Sequence, residues 1–165
     1  ISLVPIGTEM MAFLLGSTES RRRLLGISEY CDFPSEVFQS LHVVSHNAID
    51  LKGKSGEEVE AAMQEAKRAG LESAHVLDVA WLKQQRPGLV LTQDTCSSCD
   101  AVEGTVHHAL EAAGLDHARA LTLNPVTVSQ VLASMRTLGA ALGLDSRTTD
   151  TALSPLEARL EAVAN

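Results

Sequence analysis

The stretch LVLTQDTCSSCD, residues 89–100, opens as a run with no polar alternation until its end and closes on an acid and a C-x-x-C pair. An extended segment that is apolar on both faces belongs in a parallel sheet covered by helices on each side. Its carboxyl end then falls where open parallel sheets bind their ligands, because strand-following loops and helix N-termini converge there. The cysteines pose three chemistries: a metal site, a redox couple, or the lip of a binding cleft.

Working outward, the neighbouring segments alternate in the way such a sheet needs. ISLVP (1–5), LLGIS (24–28), HVVS (42–45) and ARALTL (118–123) read as further strands. A helix is expected through Met10, Met11, Leu14 and Leu15 to Gly16, with DVAWLKQQRP (78–87) a short helix stopped by Pro87 and VHHALEAAG (106–114) another. Ser55 with Glu58, Thr127 with Gln130, and Ser154 with Glu157 are capping boxes, the last with Pro155 in the first-turn position Pro favours. Gly70-Leu71, Gly114-Leu115 and Gly143-Leu144 read as helix ends, since Gly takes the left-handed conformation and Leu folds back on the last turn. These signals predict α/β class, with a mainly parallel, doubly wound sheet and helices on both faces. The polar stretch Thr148–Ala152 reads as an exposed connection between the last two helices, about 127–143 and 154–164.

A chain of 165 residues supports one domain with a sizeable core. With 45% hydrophobic residues it lies far from the composition of disordered chains. A net charge of −8 leaves no surface to neutralise phosphates, which argues against a nucleic-acid partner. Arg21-Arg22-Arg23 is too short a basic run to change that and reads as a solvated turn. The apolar run from Met10 to Leu15 is far below the roughly 20 residues of a membrane span. Three cysteines, Cys31, Cys96 and Cys99, are an odd number and a poor disulfide framework.

If every strand–helix–strand unit has the usual hand, the loops after the strands share one edge. That rim would gather Thr8, Glu9, Tyr30, Cys31, Asp32, His46, Asp94, Cys96 and Cys99. Zinc wants about four tetrahedral N or S ligands. Cys96 and Cys99 supply two and Cys31 and His46 are the nearest completers, but a second C-x-x-C or a Cys/His pair is missing. A thiol redox role wants the pair at a helix N-terminus, where the dipole favours thiolate. The pair does precede the helix that begins near Val102, yet the surroundings do not otherwise follow a thioredoxin pattern. Glu9 and Asp94 are the carboxylates an acid–base pair would need, although a carboxylate in a first helical turn answers more simply to the macrodipole. Trp81 reads as core, and the adjacent His107 and His108 cannot chelate together and should leave at least one ring in solvent. With no Gly-rich phosphate loop, G-x-S-x-G or H-E-x-x-H, an enzyme reading has little to stand on.

Four pieces in order, ISLVPIGTEMMAFLLG, LLGISEYCDFP, DVAWLKQQRPGLVLTQDTCSSC and TVSQVLASMRTLGAALG, resemble the N-terminal lobe of the periplasmic-binding-protein family that serves cobalamin and iron–siderophore ABC importers, its cobalamin-binding-like branch above all. The resemblance covers nearly the whole chain. It implies capture of cobalamin or a ferric chelate without covalent chemistry, importer membrane subunits as partners, no intrinsic cofactor, and an extracytoplasmic, periplasmic location if a leader preceded Ile1. It also implies a binding lobe over 1–145 and, over 146–165, the start of a helix leading to a second lobe that this sequence lacks, so that binding by this chain alone is expected to be weak. Tyr30, beside Cys31, is then the aromatic for stacking on a corrin or chelate ring, with Thr8, Glu9, Cys31, Asp32, Asp94, Cys96 and Cys99 as further ligand contacts. The pattern departs from the family at Glu29-Tyr30, where His-Glu is common. It departs again at Ala80, where an acid that docks on the transporter tends to lie; Asp78 nearby is a natural helix N-cap. The rival reading is a metal- or thiol-dependent redox protein or enzyme built on Cys31, Cys96 and Cys99.

Overall fold

Pro5 sets how the chain begins. It has no N–H to give a sheet and its fixed φ suits the first position of a helix. The computed structural model, which describes residues 1–38, 41–69, 75–93, 103–115 and 119–164, accordingly starts α1 there (Pro5–Arg23). ISLVP therefore falls short of the expected strand. Only Ser2 bridges, in parallel, to Ile27 on one side and Leu91 on the other. Ser2 donates its N–H to Gly26 O at 3.1 Å and Leu3 donates to Leu91 O at 2.9 Å.

The helix also outruns the expected end at Gly16. That residue, at φ 75°, interrupts the helical geometry, and the chain resumes it as far as Arg23. Arg21–Arg23 thus form a last helical turn instead of a solvated loop, where cations offset the carboxyl end of the macrodipole. Arg23 also donates to Leu142 O at 2.7 Å.

Next come β1 (Gly26–Ser28), α2 (Ser35–Phe38), β2 (His42–Asn47), α3 (Gly56–Arg68), β3 (His75–Leu77), α4 (Val79–Gln85) and β4 (Leu89–Thr92). The chain finishes with α5 (Glu103–Ala112), β5 (Arg119–Thr122), α6 (Val128–Ala141) and α7 (Ser146–Ala164). The class is α/β with small sheets. β1 pairs in parallel with β2, β4 in parallel with β5, and residues 1–3 lie between the two groups. β3 is an antiparallel edge on β2 that the sequence reading did not include; three residues are too few to show alternation.

Among the described residues two apolar clusters form the core. Val90 enters one with Leu3, Val44, Leu82 of α4 and Val106 of α5, while its neighbour Leu91 enters the other with Met10, Met11, Ile27, Leu138 and Leu153. Successive side chains of a strand point to opposite faces, so β4 is buried on both, as its lack of polar alternation predicts.

Caps at Ser55/Glu58 and Thr127/Gln130 form as expected, with both reciprocal bonds present. Gly114 and Gly143 take positive φ, and the N–H groups of Leu115 and Leu144 return to Leu110 and Gly139 carbonyls, closing α5 and α6. Gly70-Leu71 lies outside the described residues. The Ser154/Glu157 box does not form, because α7 runs through it with Pro155 inside. Asp145 caps this helix instead, accepting from the Thr148 N–H and hydroxyl at 2.8 Å each. Thr148–Ala152 is therefore helix and not an exposed connection. The Thr149 and Thr151 hydroxyls donate to carbonyls one turn back, and Arg136 of α6 bridges Asp150 and Glu157 at 2.8 Å each. Leu153 is fully buried against α6, whereas Leu160 and Val163 are exposed. Among the described residues no helix is long and apolar enough to cross a membrane.

Candidate functional site

Among the described residues, a cleft of about 490 Å³ with convergent polar groups opens at the carboxyl ends of the strands. Leu3 and Pro5 enter it after the N-terminal segment, Ser28 and Tyr30 from the end of β1, Ser45 and Asn47 from β2, and Gln93 after β4. His75 arrives at the same edge because β3 runs antiparallel and begins where β2 ends. The opposite wall is one face of α3, through Val59, Glu60, Met63, Gln64 and Lys67, with Leu51 leading in. The volume falls within the range of small-molecule sites, about 300–1,000 Å³.

Tyr30 is the anchor of the rim. Its hydroxyl accepts from the Asn47 side-chain amide, and Glu29 accepts from the Asn47 backbone N–H, so the β1 turn is tied to the end of β2. The ring meets His75 edge to face at 5.9 Å and 88°, and Tyr30 keeps 47% of its surface exposed. An aromatic held at its polar tip and half exposed is suited to a flat apolar partner. A more open hollow of about 540 Å³ continues beyond Tyr30 along Ile49, Asp50 and Lys52.

Of the expected rim residues, Tyr30 alone lines the cleft among those described. Thr8 and Cys31 do come together, but under the floor. Thr8 lies on the inward stripe of α1 with Val4 and Met11 and is fully buried. Its hydroxyl donates to Cys31 Sγ at 3.3 Å, and the Ser28 hydroxyl lies 3.4 Å from the same sulfur. At 6% exposure Cys31 is a packed thiol outside the cleft lining, beside Ser28, which does line it. Glu9 and Asp32 are exposed and line no part of the cleft. His46 is an exposed residue of β2 beside Val76, away from Cys31's buried position. Asp94, Cys96 and Cys99 lie outside the described residues, as does the C-x-x-C they form. Among the described residues no group of three His, Cys, Asp or Glu side chains is placed to hold a metal.

Trp81 is half-buried, packing against the core while its ring stacks on His42 at 5.0 Å and 11°. His42 Nε2 lies 3.1 Å from Asp78, whose other oxygen accepts the Trp81 N–H at 2.9 Å. That backbone bond first, and the imidazole second, hold the Asp78 carboxyl below its usual range. The carboxylate is thus engaged as a cap, and Ala80 beside it is exposed. His107 and His108 are both exposed.

Of the described cleft residues Tyr30 alone was expected; those that sequence reasoning missed include Ser28, Ser45, Asn47, His75, Val59 and Met63. Their signals are faint: small polar residues at strand ends, and an apolar stripe at 59, 62, 63 and 66 behind a capping box. No protein-family model, curated protein or solved structure matches this chain.

Proposed function

We propose that this chain is a solute-binding lobe that captures cobalamin or a ferric chelate in the cleft at the strand ends, for delivery to an ABC importer. The observation that carries the reading is the half-open cleft, with apolar walls at Leu3, Pro5, Leu51, Val59 and Met63, polar groups among them, and the half-exposed Tyr30 in its lining. Such a lining holds a large flat molecule by contact and orients it by hydrogen bonds. The same reading takes the parallel pairs, with residues 1–3 between them, as one mainly parallel, doubly wound sheet, and α7 as the helix that leads away from the lobe. The burial of Cys31, engaged with Thr8 and Ser28, speaks for packing rather than thiol chemistry at that residue.

Calorimetric titration with cyanocobalamin and with a ferric hydroxamate tests it. One of the two should bind, and Tyr30→Ala should weaken that binding about tenfold, equivalent to about 1.4 kcal/mol. His107→Ala, on an exposed helix face, should not. A folded chain that takes up neither chelate sinks the proposal, and tightly bound zinc in the purified protein would favour the metal- or thiol-based alternative.

A further inference from the structure

α3 differs from the other long helices in what holds it. α1, α5, α6 and α7 each contribute buried residues to one of the two core clusters, whereas α3 has none buried and, among the described residues, belongs to neither cluster. Yet it is strongly two-faced. Val59, Ala62, Met63 and Ala66 are half-buried at helical spacing, and nearly all its other positions are exposed. Val59 and Met63, one turn apart, look into the 490 Å³ cleft across from Leu3 and Pro5. An apolar stripe on a short helix normally supplies most of that helix's stability by tertiary packing. Here the stripe faces a space of small-molecule size, floored by the Ser28 and Ser45 side chains.

We infer that α3 is the ligand-held wall of the cleft: Val59 and Met63 are its contact and specificity residues, and the helix is fastened to the domain by the bound molecule instead of by the core. This rests on the cleft being the binding site, though not on which chelate fills it. Because the stripe is not core, Val59→Asn/Met63→Asn should shift the melting temperature of the free protein by no more than about 3 °C. In the free protein, amides from Val59 to Lys67 should exchange at least about 100-fold faster than those from Val131 to Leu138 in α6, as expected of a sub-globally opening unit. Saturating cyanocobalamin, and independently the anionic aromatic dye 8-anilinonaphthalene-1-sulfonate, should slow the α3 amides and leave α6 unchanged. The dye's fluorescence gain should be lost in the double variant.

A melting-temperature drop of more than about 8 °C in the variant, or α3 protection equal to that of α6, would overturn the inference by placing the stripe in the core. Undiminished dye fluorescence in the variant would overturn it as well, and so would binding of either probe without protection of α3. If the dye gives the expected pattern while neither chelate binds, the wall stands and the chelate reading falls.

Discussion

Gly26 lies where β1 passes beneath the His42–Trp81 stack. A Cβ there would come within 2.4 Å of Val44 Cγ2, 2.8 Å of the Trp81 ring and 3.1 Å of the His42 carbonyl. No single rotamer change relieves all three, so Gly26→Ala should destabilise by about 1–3 kcal/mol, the usual cost of overpacking, read from chemical denaturation. Thr8 poses the opposite test. Its hydroxyl has one buried partner, the Cys31 sulfur, a weak acceptor. Thr8→Val removes the donor with little change of shape and should cost less than about 1.5 kcal/mol, with the cleft intact. A loss of several kcal/mol would mean that the Thr8–Cys31–Ser28 contacts organise the floor more strongly than their geometry implies. Thr8 and Cys31 were legible as neighbours from their places after two strands. That they lie beneath the rim was not, because facing depends on the phase of α1, which Pro5 starts five residues before the first Met.

Among elements, α7 separates a residue pattern from its structural use. S-P-x-E at 154–157 carries every mark of a helix start, yet Asp145 starts the helix nine residues earlier. Thr149 and Leu153 are then drawn onto α6, and that burial outweighs the local capping preference at Ser154. With Pro155 in a helix interior, the Thr151 carbonyl loses its i+4 donor. Pro155→Ala should therefore stabilise, by about 1–3 kcal/mol; a neutral or negative effect in a melting experiment would mean that a second helix does begin at Ser154. Leu153→Ala should cost about 2–5 kcal/mol and Leu160→Ala within about 0.5. Protease should spare Thr148–Ala152 and cut first in the segment between β2 and α3, around Lys52–Lys54, where three successive residues are exposed outside any helix or strand.

For the whole molecule, acid titration reports on the caps. The carboxyls of Asp78, Asp145 and Glu58 are each held low, first by a backbone N–H at a helix start, from Trp81, Thr148 and Ser55 respectively. A carboxyl with a depressed folded pKa adds stability that is present above its unfolded value, near 4, and is lost as pH falls through the folded value. The urea midpoint should therefore drop below about pH 4. Asp145→Asn, which keeps an accepting oxygen but does not titrate, should lose less between pH 4 and 2 than the parent chain; an equal loss in both would place the acid sensitivity elsewhere.

The caps at Ser55 and Thr127, the doubly apolar strand at Leu89–Thr92 and much of the alternation of strands and helices depend on contacts within a few residues, and the sequence by itself determined them. Three matters waited for the tertiary structure: which way Thr8 and Cys31 face, that β3 runs back to bring His75 beside Tyr30, and that the Val59–Met63 stripe looks into a cleft and not into the core. Each depends on residues far apart in sequence meeting at one sheet edge. Local periodicity says that a stripe must be covered; only packing decides by what.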